Sequence, residues 1–215
     1  MPSSLKRVTE ELLPVVSGQA SDLVVETWIT EDKCGQEEQA VVKDVAKTTA
    51  RPQTTEAEIV TLVRRAKEAG VKPHALDLRC DDYKTIYTAQ GVDYDQMLKV
   101  LTRELRGRVQ AVLKRRDAEP AGARRLVLVY GGALHNDLYP QPELSNYTFG
   151  PPLRQQLGAG YVELDVFVPE YIEQNAKMKK EPWFQLAKRS QRPGQTLLIE
   201  RGPGSFILLF PRTKR

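Results

Sequence analysis

His135 is one of only two histidines in a chain of 215 residues, and it stands among groups that handle protons. It lies in "LVLVYGGALHND" (126–137), three residues after Gly132 and directly before Asn136 and Asp137. A neutral imidazole takes up a proton near neutral pH. Beside a carboxylate it can act as a general base or ligate a metal. Carboxylates that could serve it close or follow other apolar runs. Glu26 ends "SDLVVE", and Asp77 sits in "HALDLR", with Asp81 and Asp82 just beyond. Glu163 and Asp165 lie within "YVELDVF". The catalytic candidates are therefore His135 as base, Glu26 tuning its proton affinity, and Asp77. A metal would draw on Glu26, His135 and Asp137, or Asp77 in its place: one histidine with two carboxylates, a set open to Mn, Fe or Zn. A catalytic zinc wants three protein ligands and an open position.

Each of these residues also has a structural reading. A rim glutamate such as Glu26 can pair with an arginine or with backbone, because a carboxylate ending an apolar strand needs a partner. Asn136 and Asp137 are turn formers that bond to nearby backbone. His74 stands near the start of its run, at the opposite end from Glu26 and His135, and reads as structural. Tyr130 or Tyr139 could ligate haem iron as a tyrosinate, although packing is the commoner role of a strand tyrosine. Trp28 and Trp183 read as packing residues.

Placing these groups together requires strands and helices in alternation. Residues 4–16 have Leu5, Val8, Leu12 and Leu13 at helical spacing, and 21–28 form an apolar strand. Residues 29–55 are polar, with a helix expected over about 36–47. The next helix covers 54–70, with a capping-box pattern at Thr55 and Glu58 and a stop at Gly70. A strand over 71–80 follows. A long amphipathic helix over 93–116 carries Met97, Leu98, Leu101, Leu105, Val109 and Val112 on one face. After the linker 117–123 comes the strand that delivers His135. Beyond the Pro-rich loop 139–152, a short helix, a strand over 161–169, a second short helix at "WFQLAKR" and a hairpin over 195–211 complete the chain.

This order predicts an α/β fold: a mostly parallel sheet with helices on both faces and a C-terminal antiparallel hairpin, in a single domain over 1–215. The runs "LVVE" and "LVLVY" are continuously apolar, as strands buried on both faces are. In such sheets ligands bind outside the carboxyl ends of the strands. Gly131 and Gly132 let the chain turn sharply there and approach a ligand closely. Gly131, Gly132, His135, Asn136 and Tyr139 are accordingly the candidates for cofactor contact.

Composition narrows the function classes. No run approaches the roughly 18 apolar residues of a membrane helix, and the N-terminus carries no signal-peptide pattern. Cys34 and Cys80 fit one disulfide or two thiols equally well, so the compartment stays open, an exported parent or lipoprotein included. The net charge of +4 is concentrated at 101–116 and in "PRTKR". No aromatics interleave with it, so it reads as a solvated helix face and no specific nucleic-acid partner is expected.

The ordered set of motifs resembles the superfamily that groups the haem-binding lipoprotein ChaN, the Tiki and TraB proteins and erythromycin esterase. "LVLVYGGALH" is similar to its second Gly-x-x-His motif, here Gly132 to His135. "SDLVVETW" looks like its strand ending in a glutamate, here Glu26. "AKEAGVKPHALDLR" resembles its helix-to-strand step, and "LRQQLGAGYVELDV" the helix and strand after the histidine motif. The pattern spans about residues 5–210. The resemblance implies a pocket of Glu26 and His135 that activates water on a small-molecule or peptide substrate, with or without a divalent metal. The alternative it implies is a haem- or small-ligand-binding module, possible as a homodimer, or a degenerate structural domain. Members open with a strand carrying a first Gly-x-x-His or Gly-Glu-x-His motif, and nothing upstream of Leu5 supplies one. The chain therefore reads as a fragment without its first strand, or as a protein that has lost half of the expected site.

Overall fold

The structure is a computed structural model that describes residues 3–28, 33–48, 54–120, 122–176, 178–190, 192 and 194–212. The chain opens with helix α1 (Ser4–Arg7), a π-helical turn (Val8–Leu12) and α2 (Leu13–Val16). The Ser3 side chain caps α1 by accepting from the Lys6 N–H. Strand β1 (Ala20–Trp28) then leads to α3 (Gln36–Thr48) and α4 (Thr54–Glu68). At the end of α4, Gly70 adopts a φ of +74°, open to glycine at little cost, and the Val71 N–H closes the turn on the Ala66 carbonyl. The Thr55 side chain expected to cap this helix lies outside the described residues.

Strand β2 (Lys72–Leu76) is shorter than the pattern over 71–80 predicts. Asp82 accepts the Arg79 N–H at 2.9 Å and caps a helix, α5 (Cys80–Ile86), that the sequence pattern did not reveal. The two-residue strands β3 (Tyr87–Thr88) and β4 (Gly91–Val92) are too short to carry a periodic signal. Asp93 caps α6 (Tyr94–Asp117), and β5 (Leu126–Tyr130) follows. The remaining elements are α7 (Ala133–Asn136), a 3-10 turn (Pro142–Tyr147), α8 (Gly150–Leu157), β6 (Glu163–Phe167), α9 (Pro169–Gln174), α10 (Pro182–Ser190), β7 (Leu197–Gly202) and β8 (Ser205–Leu209).

The fold is mixed α/β. One sheet has the order β2-β1-β5, and all its strands are parallel. A second has the order β6-β8-β7, with β6 parallel to β8 and the β7–β8 hairpin antiparallel. The parallel pairing is thus divided between two sheets. Helices cover both faces of the first. Leu23 and Val25 point to a core with Leu5, Leu13 and Leu62, from the first helices and α4. Val24 points to the opposite core, with α3, α5, α6 and α8, where Val41, Tyr83, Leu105 and Leu153 are buried. Burying each such aliphatic side chain contributes on the order of 1.5–3 kcal/mol. A third cluster joins Ile172, Trp183 and Ala187 to Ile207 and Leu209 of β8, and Trp183 stacks on Phe167 at 5.1 Å. Trp183 is thus the packing residue its sequence suggested. Trp28's side chain lies outside the described residues.

Cys34 and Cys80 form a disulfide that ties the segment before α3 to the start of α5. Among the described residues, no helix is long and apolar enough to cross a membrane.

Candidate functional site

The register of β1 on β5 decides which groups meet. Val25 lies opposite Tyr130, so Glu26 comes to the turn that follows β5. There the Gly132 N–H donates to Glu26 Oε2 at 2.6 Å. A Cβ on Gly131 would stand 2.5 Å from the same oxygen, so only glycine leaves the carboxylate its seat. The double glycine therefore serves two ends: it turns the chain out of the strand, and it accepts the neighbouring strand's glutamate against bare backbone.

The turn runs straight into α7, which delivers His135. Its Nε2 lies 3.6 Å from Glu26 Oε1. That is longer than a hydrogen bond and short enough for both atoms to share one small guest. The pair is nearly buried, with side-chain exposures of 4% for His135 and 8% for Glu26. Gly131, Gly132 and Ala133 beside it are exposed.

The other face of the imidazole is fixed. Nδ1 lies 3.0 Å from the Tyr147 carbonyl oxygen, which can only accept, so Nδ1 carries the proton. Thr102 Oγ1, 2.8 Å from Nδ1, shares that proton while its own hydroxyl donates to the Leu98 carbonyl at 2.8 Å. In the neutral ring the Nε2 lone pair then faces Glu26. The backbone around His135 is clamped too. Its carbonyl accepts from the Phe149 N–H at 2.8 Å and from the Thr148 hydroxyl at 3.1 Å. The hydroxyl of Tyr161 donates to the Asn136 carbonyl at 2.9 Å. Burial and the nearby Glu163, Asp137 and Asp165 raise the Tyr161 pKa, so it stays a donor.

The remaining candidates lie elsewhere or face other partners. Asp77 is exposed and pairs with Lys33 at 3.2 Å. Asp137 turns away to Arg201 at 2.9 Å. The Asn136 amide, oriented to satisfy its hydrogen bonds, donates to the Gly132 and Ala133 carbonyls. Tyr139 donates its hydroxyl to the Pro203 carbonyl at 3.0 Å, and its ring lies against Gly202. Tyr130 stands at the end of β5 with its ring toward the α1–α4 core. Among the described residues, no three of His, Cys, Asp and Glu converge as a metal would require.

Two further charged clusters were not assembled by sequence reasoning. Arg201 meets Glu163 (2.7 Å), Asp165 (3.3 Å) and Asp137 (2.9 Å) at once. Burial, then the charge of Glu163, pushes Asp165 up to about 7, because one guanidinium is shared by three carboxylates. At the amino end of the first sheet, Asp22 is buried against His74 at 2.7 Å and against Arg115. Burial alone would raise Asp22, and the hydrogen bonds from His74, Ser21 and Arg115 outweigh it and hold its pKa low. His74 is thus placed in a structural pair, away from His135. The sequence signal for both clusters was an acid inside an apolar strand, at Asp22, Glu163 and Asp165. Their partners sit 52 to 93 residues away in one case and 36 to 38 in the other, beyond any local spacing rule.

Comparison of the chain with protein-family models, with curated proteins and with solved structures returns no match.

Proposed function

We propose that the chain is a ChaN-like, hydrolase-related domain in which Glu26 and His135 activate water at the carboxyl edge of the parallel sheet. The observation that carries this reading is the 3.6 Å approach of Glu26 Oε1 to an imidazole whose Nδ1 proton is already committed to Tyr147 and Thr102. That arrangement leaves two acceptors, Nε2 and Oε1, facing one point. A water at that point donates to both and turns its lone pairs outward, toward exposed Gly131 and Ala133. As its oxygen attacks an acyl carbon, His135 takes the proton and Glu26 stabilises the resulting imidazolium. Thr102 and the Tyr147 carbonyl hold the ring in the tautomer this step needs.

The residues do not fit a resident metal. Glu26 and His135 supply two donors, whereas a catalytic zinc takes three from the protein. The third candidate, Asp137, is engaged by Arg201. The haem-binding reading has less support, because Tyr139 spends its hydroxyl on Pro203 and His135 Nε2 faces a carboxylate. The Cys34–Cys80 pairing favours an oxidising compartment, in keeping with an exported parent.

The test assays wild type, His135→Ala and Glu26→Gln against p-nitrophenyl esters, lactones and short peptides, beside elemental analysis and a hemin titration. Turnover by wild type that falls at least a hundredfold in each variant supports the reading, since a positioned base contributes roughly 10²–10⁴-fold. Activity unchanged in both variants, or no turnover alongside saturable hemin binding lost in His135→Ala, overturns it.

A further inference from the structure

The two main sheets end facing each other. β5 pairs with β1 along one edge only, and β6 pairs with β8 along one edge only. Between them lies an apolar cavity of about 560 Å³, lined by β5 from end to end and by alternate residues of β6. It adjoins a second cavity of about 310 Å³ at the far end of the same two strands. The first cavity is lined by Leu126–Tyr130 with Val162, Leu164 and Val166, and the second by Val129–Gly131 with Leu164–Val168, so both strands advance from the first cavity to the second in the same direction. Helices already cover both faces: Val8 and Leu12 roof one side, Val109 and Leu113 the other. What is open is a channel between two parallel strand edges.

β5 is less covered than its composition leads one to expect. Its residues "LVLVY" are apolar without interruption, the pattern of a strand buried on both faces. Yet Leu126 is 39% exposed, and Val127, Leu128 and Val129 are only partly buried. A strand of five residues advances about 17 Å; at ~4.8 Å between strands and ~10 Å between layers it sweeps about 800 Å³, comparable to the two cavities together. The amino end of the slot is basic. Arg116 and Arg125 line it; Arg116 pairs with Asp117 at 2.9 Å, which leaves Arg125, paired with no carboxylate among the described residues, as the available cation.

We infer that this slot is a binding site for an extended apolar segment of a separate partner polypeptide. The segment inserts as a strand parallel to β5 and β6, joins the two sheets into one, and places an acidic residue at its amino end beside Arg125. Strand addition of this kind draws affinity from main-chain hydrogen bonds on both sides and specificity from alternate side chains. The edge of a second folded copy does not fit, because β6 and the roofing helices wall the channel; only a strand free of its own sheet enters. This inference is independent of Glu26 and His135.

The test titrates the whole chain with the fluorescent peptide Asp-Val-Val-Leu-Val-Ile-Gly, alongside an analogue carrying proline at its centre. The expected result is saturable binding, at least tenfold weaker for the proline analogue, with amide exchange slowed at least tenfold along both β5 and β6. Arg125→Glu, a surface change, should weaken binding of this peptide and restore it for one headed by lysine. Absence of binding, equal binding of the proline analogue, or displacement by decanoate or hemin without protection of the strand amides overturns the proposal. So does a peptide-free chain that is dimeric by light scattering, with those amides already protected.

Discussion

Asp165 offers a test whose sign and size both follow from the structure. Its carboxyl is buried beside Glu163, with Asp137 near and Arg201 divided among all three, and its pKa rises to about 7 from 3.8. The unfolded chain releases this proton near pH 4, while the folded chain holds it to about pH 7. Between those values the folded state binds more protons, so stability falls as pH rises, by up to ~1.4 kcal/mol per pH unit. From pH 5 to pH 8 Asp165 therefore costs the fold on the order of 2.5 kcal/mol. Asp165→Asn keeps the shape and removes the proton. The assay is urea unfolding of both proteins at pH 5, 6, 7 and 8, taken as a difference so that other titrating groups cancel. The variant should gain on wild type as pH rises, with the midpoint gap widening by about 1 M urea across the range, given slopes of roughly 2–3 kcal/mol/M. Parallel pH profiles for the two proteins would refute the claim that Asp165 is held protonated by burial and by its crowded neighbours.

Three further changes probe the positioning of the site, the long helix α6 and the covalent frame. Gly131→Ala puts a methyl 2.5 Å from Glu26 Oε2, so it should displace the carboxylate from the Gly132 N–H and cost about 1–3 kcal/mol in thermal unfolding. Gly107→Ala, in α6 with nothing within 4 Å of its new methyl, should instead stabilise by about 0.5–1 kcal/mol. Replacing Cys34 and Cys80 by serine frees a loop of 46 residues and should cost roughly 2–4 kcal/mol, a fall of about 4–16 °C in Tm by calorimetry. A Tm unchanged from oxidised wild type would show that the bond does not constrain the unfolded chain.

The elements were legible because local patterns determine them. Period-3.6 stripes give α4 and α6, and unbroken apolar runs give β1 and β5. Short elements escaped: α5 has seven residues, and β3 and β4 have two each, fewer than a period needs to declare itself. α5 is set by a cap, Asp82 on the Arg79 N–H, that was readable only as a cluster of acids.

Residue types by themselves nominated Glu26, His135 and the glycines, because a carboxylate or an imidazole at the end of an apolar strand must have a partner. Which partner was a tertiary matter. Glu26 and His135 are 109 positions apart, and they meet because β1 lies beside β5 in the register that sets Val25 against Tyr130. A slip of one residue would turn Glu26 to the other face of the sheet. Asp137 and Asp165 were candidates of the same kind, yet both go to Arg201, which lies on β7 of the sheet that also holds Asp165 on β6. Composition and periodicity determined that strands, helices and rim acids exist. Only the packing of strand against strand decided which acid each base would face, since pairing joins residues whose separation along the chain carries no information about their distance in space.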